Sequence, residues 1–342
     1  MIKIGVIGYG YWGPNLVRNF FEVPELFKVE AVSDSRPERL KLASSRYPSI
    51  RVYEDAADLI GDPSIDAVAV ATPVSSHFDL ASRALRAGKH VLLEKPLTTT
   101  VAEAEELVEL AYARKRILMV DHTFVYTGAV RKMRELVVSG QMGDLYYYDS
   151  VRVNLGLFQH DVDVIWDLAV HDLSIMDYVV GEHPCAVSAT GLAHVKGRSE
   201  NIAYVTMFFE SSLIAHVHVN WLAPVKVRKT MVGGSSKMIV YDDVEPSEKI
   251  KIYDKGVNVS SAEDMYRMMI NYRSGDMMAP QLDNTEALKA EIKEFAAAIH
   301  ENRRPLTDGE AGLRVVRILQ SATQSMKSRG QLVELSAGKV TV

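Results

Sequence analysis

Residues 1–13 have the sequence MIKIGVIGYGYWG, an apolar stretch that runs directly into three closely spaced glycines. The first seven residues predict a buried strand, and residues 15–21 predict the helix that follows the glycines. The glycines fit the pattern G-x-G-x-x-G. Gly8 permits a tight turn, Gly10 lets the backbone approach a pyrophosphate, and Gly13 lets the helix pack closely against the strand. This arrangement predicts a dinucleotide site at the N-terminus of the helix.

A carboxylate at the end of the next predicted strand strengthens this interpretation. Residues 29–33 form that strand, and Asp34 follows it, where its side chain can accept hydrogen bonds from the ribose hydroxyls of NAD. Its charge would repel the 2′-phosphate of NADP. Arg36 and Arg39 lie close by in sequence, and they keep NADP open as the alternative cofactor.

Length and composition are those of an ordinary two-domain globular protein of 342 residues. The formal net charge of −5 gives no basic footprint for nucleic acid. The single cysteine, Cys185, excludes an intramolecular disulfide and fits a reducing compartment. No apolar run approaches the roughly 18 residues of a membrane span, and the N-terminus does not resemble a signal peptide. We therefore expect a cytoplasmic protein with no membrane or nucleic-acid partner.

Strands and helices alternate in residues 1–121, which predicts a doubly wound α/β domain with a parallel sheet covered on both faces. Thr100 is expected to cap one of its helices together with Glu103, as a capping box. Further strands are predicted at 66–71, 91–93 and 117–120, and further helices at 75–86 and after 100.

Residues 122–342 have a different pattern, with few helices between long strands, and predict an α+β domain with a large open mixed or antiparallel sheet. Two closing helices are predicted at about 284–301 and 309–328, the first of them capped by Asp283. Predicted strands cover 145–154, 185–193, 203–210, 213–221, 227–232 and 238–241, with one helix at about 129–139.

The triplet Glu94-Lys95-Pro96 follows a predicted parallel strand, at the sheet edge where open α/β folds bind ligands. A lysine there could hydrogen-bond a substrate hydroxyl and stabilise developing negative charge. A solvated lysine at a strand end is the simpler alternative.

Asp167 and His171 are four residues apart on a helix predicted from about Asp167 to Val180, so they share one face. Histidine suits acid–base catalysis near neutral pH, and a carboxylate can orient it. A pair exposed on the helix surface without a function is the alternative. Because His160, His171 and four aspartates lie within 13 positions, a metal site is a further alternative, but no recognised ligand spacing is met.

Other polar residues have two interpretations each. His216 and His218 share one strand face, which could bind metal but is more typical of solvent or a subunit interface. Arg152, Asn154 and Gln159 lie on and just after a strand, where they could donate to a sugar or simply form a polar sheet face.

These pieces together resemble the glucose–fructose oxidoreductase/inositol dehydrogenase family, known as Gfo/Idh/MocA, over essentially the whole chain. The residues that carry the resemblance are the glycine-rich segment 8–13, Ala71-Thr72-Pro73 with His77, Glu94-Lys95-Pro96, and the spacing of Asp167 and His171. The resemblance implies an N-terminal Rossmann domain, a C-terminal domain with a large open sheet, and homodimers or homotetramers built through that sheet. It also implies an enzyme that transfers a hydride between a nicotinamide cofactor and a sugar or cyclitol carbon.

By the same resemblance the catalytic trio falls on Lys95, Asp167 and His171. In this interpretation His171 is the base, Lys95 hydrogen-bonds the reacting oxygen, and Asp167 orients the substrate or the imidazole. No metal is expected. The residues expected to bind the cofactor are Gly8, Tyr9, Gly10, Tyr11, Trp12, Gly13, Asp34, Ser35, Ala71, Thr72, Pro73, His77, Glu94 and Lys95.

Within the family, the opening Gly-Tyr-Trp-Gly-Pro-Asn and the run from Trp166 to Ser174 are most similar to enzymes that act on nucleotide sugars, including the UDP-N-acetylglucosaminuronate 3-dehydrogenase type. Val164 and Ile165 stand where the family often has a glycine pair, which leaves the sugar open. The residues expected to contact substrate are Arg152, Asn154, Gln159, Trp166, His171, Tyr272 and Arg273.

Four alternatives remain at this point, and one of them is a metal-dependent enzyme that uses the cluster between His160 and Asp172. The chain could reduce a ketosugar with NADPH, because the same residues serve both directions. It could oxidise a cyclitol or a free sugar. It could also bind NAD without catalysis, although the complete Lys95, Asp167 and His171 set argues against that.

Overall fold

The computed structural model of the protein describes residues 1–156, 162–195, 199–254, 256–258, 271–273 and 275–335, with backbone alone for 256–258 and 271–273. Backbone contacts divide the chain into two compact units. The first unit contains Met1–Thr127 and Thr285–Arg317, and the second contains Gly128–Asn284 and Ile318–Val342.

The first unit is built on a six-stranded sheet in the order β3-β2-β1-β4-β5-β6, with every neighbouring pair parallel. The central strands consist of small and branched apolar residues that are buried on both faces, as a parallel sheet between two helical layers requires. The strands are β1 (Ile2–Ile7), β2 (Phe27–Ser33), β3 (Arg51–Tyr53), β4 (Ala67–Val70), β5 (His90–Glu94) and β6 (Leu118–Asp121). This confirms the predicted doubly wound domain.

Helices follow the strands of this sheet as alternation predicts. The Thr100 cap is confirmed, since the amide of Glu103 donates to Thr100 Oγ1 at 3.2 Å, while the Glu103 carboxylate instead accepts from Thr99. The helices are α1 (Gly13–Phe21), α2 (Pro37–Arg46), α3 (Ala56–Gly61), α4 (His77–Arg86) and α5 (Val101–Arg114), with 3₁₀ turns at Val74–Ser76 and Thr123–Tyr126.

The second unit contains a nine-stranded mixed sheet in the order β16-β13-β12-β11-β7-β10-β9-β8-β17. Only β7 and β10 pair in parallel; the other neighbours are antiparallel, which confirms the predicted open mixed sheet. The strands are β7 (Leu145–Leu155), β8 (Ala186–Leu192), β9 (Ile202–Phe208), β10 (Ile214–Asn220), β11 (Leu222–Gly234), β12 (Met238–Asp242), β13 (Ile250–Tyr253), β16 (Met277–Met278) and β17 (Val333–Glu334); β14 (Gly256–Asn258) and β15 (Asn271–Arg273) form a separate pair.

Strand β10 shows why this sheet has one covered and one open face. Ala215, Val217 and Val219 are fully buried, while His216 and His218 on the alternate positions remain partly exposed. The helices of this unit are α6 (Gly128–Val138) and α7 (Val170–Val180), which pack against each other, and α7 also packs on β7.

The C-terminal segment differs from the sequence expectation, which placed every residue after 121 in the second domain. Helix α8 (Ala287–Glu301) packs on α1 and on the turn at Thr123–Tyr126 of the first unit. The chain then passes the edge of β6, where the backbone N–H of Val120 donates to the carbonyl oxygen of Thr307 at 2.8 Å. Helix α9 (Gly309–Lys327) follows, and residues 285–317 belong to the first unit because they cover the exposed edge of its sheet.

The predicted cap of α8 is wrong. The helix begins at Ala287 after Glu286, three residues later than an Asp283 cap would place it, and the Glu286 side chain does not cap it. Glu286 instead binds the guanidinium of Arg18 on α1, at 2.6 Å for the shorter contact. This ion pair ties α8 to the start of the chain, a long-range contact that local sequence does not reveal.

Candidate active site

The glycine-rich loop has the geometry that the sequence predicts. Gly8 has a φ of +94°, and a side chain there would meet the carbonyl oxygen of Ala71 at 2.6 Å. A side chain at Gly13 would collide with the carbonyl oxygen of Gly8. The loop therefore closes tightly over the end of β1 and leads directly into α1. Because Pro14 has no N–H and the Asn15 amide donates to the Trp12 carbonyl, a phosphate here would be bound by amides of the loop and by the positive end of the helix dipole.

A groove of about 1060 Å³ opens at the carboxyl ends of the parallel strands of the first unit. Most of the expected cofactor residues lie in its wall, among them Tyr11, whose ring is 93% exposed. The lining consists of Ile7, Gly8, Gly10, Tyr11, Trp12, Ser33, Asp34, Ser35, Arg36, Glu54, Asp55, Ala56, Ala71, Thr72, Pro73, Ser76, Leu80 and Glu94. The groove is long enough to run from the Asp34 end to the Glu94 end of the sheet.

Asp34 is held in place by several donors. Its Oδ2 accepts from the backbone amide of Tyr9 at 2.8 Å, and the guanidinium of Arg36 contacts both oxygens at 2.9 and 3.0 Å. Burial alone would raise the pKa of Asp34, but the hydrogen bonds from Arg36 and Tyr9 outweigh it and hold the pKa below its usual value. A fixed carboxylate at this position can accept from ribose hydroxyls.

Two expected cofactor residues, Tyr9 and His77, are buried and do not line the groove. Tyr9 contributes its amide to Asp34, while its ring is only 1% exposed. His77 is equally buried, and its Nδ1 and Nε2 lie 2.8 Å from the carbonyl oxygen of Pro96 and 2.9 Å from that of Thr72. The imidazole thus links the loop after β4 to the loop after β5. Burial lowers the pKa of His77.

Lys95 follows β5, between Glu94 in the groove wall and Pro96, and it is half-buried. Its backbone is fixed on both sides, because β5 pairs with β4 and β6 and because the Pro96 carbonyl is bound by His77. The lysine is therefore presented from a rigid strand end, which a site that must orient a hydroxyl needs.

In the second unit, Asp167 and His171 lie on one helical segment. A π-helical turn at Ile165–Ala169 leads into α7, so the segment starts slightly before the predicted Asp167. The indole Nε1 of Trp221 donates to Asp167 Oδ2 at 3.0 Å, and Trp221 is almost completely buried. The carboxylate of Asp167 is thus directed by a neighbour that sequence reasoning did not identify.

Asp163 begins this helical segment. Its Oδ1 accepts from the amides of Ile165 and Trp166 at 2.9 and 3.1 Å, which is the role of an N-cap. Burial raises the pKa of Asp163 to about 6, although these amide hydrogen bonds oppose the shift and the charge of Glu200 adds to it. The start of the segment therefore changes charge near neutral pH.

Arg152 does not have the exposure expected of a substrate contact. Its guanidinium is buried with Asp172, and its Nε donates to Asp172 Oδ2 at 2.5 Å. Ser150 Oγ donates to the other carboxylate oxygen at 2.5 Å, and the Tyr148 hydroxyl donates to the Asp172 backbone carbonyl at 3.0 Å. Because Asp172 directly follows His171, this network fixes the turn that carries the histidine.

The other expected substrate residues are placed as follows. Trp166 donates from its indole to Thr323 Oγ1 at 2.9 Å, and Asn154 is half-buried on β7. Gln159 lies outside the described residues, and for Tyr272 and Arg273 only the backbone of β15 is described.

Histidine and carboxylate side chains do not cluster as metal ligands in the part of the chain that the structure describes, where no group of three or more could hold an ion. His160 and Asp161 lie outside that part. His216 on the open sheet face lies 3.1 Å from Thr206 Oγ1, and the ring of His218 stacks on that of Tyr204. Over the same described residues, no helix has the length and apolarity that crossing a bilayer requires.

Comparison with known proteins decides the family. Residues 2–122 match the family described as "Oxidoreductase family, NAD-binding Rossmann fold", and residues 130–240 match the "GFO/IDH/MocA C-terminal domain". The protein belongs to the Gfo/Idh/MocA family. It is an NAD-binding oxidoreductase, as the sequence predicted.

Relatives of this Gfo/Idh/MocA protein align with it end to end. UDP-N-acetylglucosamine 3-dehydrogenase of Acidithiobacillus ferrooxidans is 27% identical, over 92% of this chain and 94% of its own. Myo-inositol 2-dehydrogenase of Thermotoga maritima is 24% identical, over 96% and 97%. The solved structure of the Acidithiobacillus enzyme superposes with a TM-score of 0.81, at 25% identity, over 96% of this chain and 98% of that one. An aldose-aldose oxidoreductase from Caulobacter crescentus, at 21% identity, shares the fold with a TM-score of 0.82, over 98% and 99%.

Proposed function

We propose that this protein transfers a hydride between NAD and a ring carbon of a nucleotide sugar, as an enzyme of the UDP-N-acetylglucosaminuronate 3-dehydrogenase type. The observation that carries the proposal is the end-to-end similarity to UDP-N-acetylglucosamine 3-dehydrogenase, which covers both units. The opening Gly-Tyr-Trp-Gly-Pro-Asn and the run from Trp166 to Ser174 support the same class.

The acid–base work is assigned to His171. In the oxidative direction the imidazole takes the proton from the sugar hydroxyl. A hydride leaves the carbon to which this hydroxyl is attached, and NAD would accept it. Lys95 donates a hydrogen bond to the same oxygen and stabilises its negative charge as the proton leaves. In the reductive direction the same groups act in reverse, with His171 donating the proton.

Asp167 is assigned an orienting role. Because Trp221 binds one of its carboxylate oxygens, the carboxylate is fixed rather than free to rotate. A fixed carboxylate one helical turn before His171 can orient either the imidazole or a sugar hydroxyl.

Asp34 and Arg36 support a preference for NAD over NADP. The Asp34 carboxylate lies in the groove wall, where it would bind the ribose hydroxyls and repel a 2′-phosphate. Arg36 neutralises part of that charge, so NADP is expected to bind more weakly than NAD rather than not at all.

A second candidate is oxidation of a cyclitol or free sugar, or NADPH-dependent reduction of the corresponding ketone. The relatives favour it to a lesser degree, because they include myo-inositol 2-dehydrogenase and the NADP⁺-dependent scyllo-inositol 2-dehydrogenase of Bacillus subtilis, at 24% and 23% identity. The chemistry assigned to His171 and Lys95 is the same in this case.

A substrate panel separates the two candidates. The purified protein is mixed with NAD and, in turn, with UDP-N-acetylglucosaminuronate, UDP-N-acetylglucosamine, UDP-glucose and myo-inositol, and the absorbance at roughly 340 nm is followed, where reduced nicotinamide absorbs. Turnover with the N-acetylated UDP sugars and not with UDP-glucose is expected. Turnover with myo-inositol alone would refute the nucleotide-sugar proposal and favour the second candidate.

We also propose that the protein forms homodimers or homotetramers through the open face of the nine-stranded sheet. Apolar side chains are exposed there on neighbouring strands, with Tyr204 44%, Phe208 37% and Ile214 44% exposed. A second copy would bury them. Light scattering should show that Tyr204→Glu lowers the molar mass, while Tyr112→Glu on α5 does not. Equal masses for all three proteins would contradict this interface.

A further inference from the structure

Two buried carboxyl groups lie side by side in the first unit. Asp121 is the last residue of β6, and Glu291 is on α8; the two side chains are 2% and 0% exposed. The helix that carries Glu291 packs on the Thr123–Tyr126 turn, which follows Asp121, and the two carboxyl groups are close enough to interact electrostatically. Neither acid is part of the groove wall, and neither was singled out by the sequence.

The hydrogen bonds assign the charge within this pair. Trp12 donates from its indole Nε1 to Asp121 Oδ2 at 2.6 Å, and Thr123 donates from Oγ1 to the other oxygen. Asp121 therefore accepts on both oxygens, as an ionised carboxylate does. Two adjacent buried carboxyl groups cannot both ionise at low cost, so Glu291 keeps its proton. Burial, with the charge of Asp121 added, raises the pKa of Glu291 well above its usual value.

The pair is connected to the cofactor groove through a single side chain. Trp12 lies in the groove wall, between Gly10 and Gly13, and is also the N-cap residue of α1. The orientation of its indole therefore affects both the amides of the glycine-rich loop and the start of α1. These are the groups that must meet the pyrophosphate.

We propose that Asp121 and Glu291 share one proton and that this pair holds Trp12, so that both acids are positioning residues for NAD. In this arrangement Glu291 donates its proton toward Asp121 and fixes the carboxylate, which in turn fixes the indole. The proposal rests on the cofactor groove alone and is independent of the sugar assignment.

Loss of the Glu291 proton has a defined consequence because of the groups around it. Glu94 at the end of β5 acts on Glu291 with a further negative charge. The buried hydroxyl of Tyr126, which interacts with Thr307 Oγ1, also lies near; burial first, and then Glu291, raise the pKa of Tyr126 well above its usual value. Ionised Glu291 would add a second buried negative charge beside Asp121, repel that carboxylate and so disturb Trp12.

The test measures NAD binding calorimetrically, without sugar, at pH 7 on the protein of 342 residues. Glu291→Leu removes the donor at nearly constant volume and should weaken NAD binding about tenfold at pH 7, the scale of one hydrogen bond to a charged group. Glu291→Gln supplies an amide donor and should restore binding to within about twofold. Lys293→Gln, exposed on the same helix, is the matched control.

Kinetics separate positioning from a purely structural role. In turnover assays Glu291→Leu should raise the KM for NAD with kcat at saturating NAD unchanged, and Glu291→Gln should restore the KM. A folded Glu291→Leu that binds NAD like wild type would overturn the proposal, as would a Glu291→Gln that binds NAD no more tightly than Glu291→Leu.

Trp12→Phe provides an independent route should Glu291→Leu fail to fold. It removes the indole N–H that Asp121 accepts and keeps an aromatic ring in the groove wall. Its NAD affinity should fall by about the same factor as in Glu291→Leu. Wild-type NAD affinity in Trp12→Phe would overturn the proposal. Because no sugar is present, a negative result here leaves the substrate proposal untouched.

Discussion

The indole of Trp221 donates a 3.0 Å hydrogen bond to the carboxylate of Asp167, across 54 positions of sequence. Trp221 directly follows β10. The contact therefore joins the end of this strand to the helical segment that carries both proposed catalytic side chains of the second unit. The sheet therefore sets the direction of Asp167 before any substrate is bound.

Trp221→Phe should lower kcat about tenfold, because the ring still fills its buried site while Asp167 loses the donor that orients it. NAD affinity should not change. Steady-state kinetics check this, with Met176→Leu, a substitution at a buried position of α7 nine residues beyond Asp167, as the packing control. Equal kcat losses in the two variants would indicate that general packing, and not the Asp167 contact, is responsible.

Replacement of the proposed acid–base groups should have a larger effect. Lys95→Ala and His171→Ala are each expected to lower turnover by about 10²- to 10⁴-fold, the usual range for such groups, with NAD binding retained. His183→Ala, an exposed histidine just beyond the same helix, should behave like wild type. Near-wild-type turnover in both Lys95→Ala and His171→Ala would show that the roles are misassigned.

Arg152→Met should destabilise the protein by about 3–5 kcal/mol, because it leaves the charge of Asp172 buried without its cation. The control is Arg228→Met on the neighbouring strand, whose ion pair with Asp243 is partly exposed and should cost about 1 kcal/mol or less. Urea unfolding measures both. If Arg152→Met unfolds at the wild-type urea midpoint and instead raises the KM for sugar, Arg152 is a substrate contact after all.

Asp34→Ala should weaken NAD binding about tenfold, since the ribose hydroxyls lose their charged acceptor, and should narrow the preference for NAD over NADP. Without its partner, Arg36 can turn toward a 2′-phosphate. Calorimetric titration with both cofactors measures the ratio, and Asp58→Ala, exposed on α3, controls for the change of net charge. A variant with an unchanged NADP/NAD affinity ratio would contradict this role for Asp34.

Asp163 should make stability depend on pH. Its folded pKa of about 6 lies above the unfolded value, so the protonated form is favoured by folding. The stability that protonated Asp163 contributes is fully present below about pH 4 and is lost as the pH rises through about 6. The free energy of unfolding should fall by at most about 3 kcal/mol over this range.

Asp163→Asn removes this titration and keeps an oxygen for the amides of Ile165 and Trp166. The free energy of unfolding of this variant, measured with urea, should therefore equal that of wild type at pH 4 and exceed it at pH 7.5. A constant stability difference between the two proteins over this range would mean that Asp163 does not titrate as described.

The sequence predicts the first unit well because its signals are local. Gly8 adopts a positive φ in a tight turn, Gly13 packs against the carbonyl of Gly8, and Thr100 caps the helix that starts at the next residue. These features depend on neighbours that the sequence places side by side. The parallel strands follow because apolar runs of this length can only be buried between helices.

The failures come from contacts between distant segments. Asp283 has the right residue type for a cap, but Arg18 fixes Glu286 and sets where α8 begins. Arg152 has the chemistry of a sugar ligand, and its burial against Asp172 appears only once β7 and α7 are packed. The pairing of Glu291 with Asp121 likewise depends on α8 joining the first unit. No local pattern encodes any of these partners.

The most direct test of the central claim follows the transferred hydrogen. The protein is incubated with NAD and UDP-N-acetylglucosaminuronate that carries deuterium at carbon 3, and the recovered NADH is weighed by mass spectrometry. The account predicts NADH heavier by one deuterium and a sugar product without the label. NADH formed without deuterium would contradict oxidation at carbon 3, and absence of NADH with this sugar and with UDP-N-acetylglucosamine would contradict the nucleotide-sugar function itself.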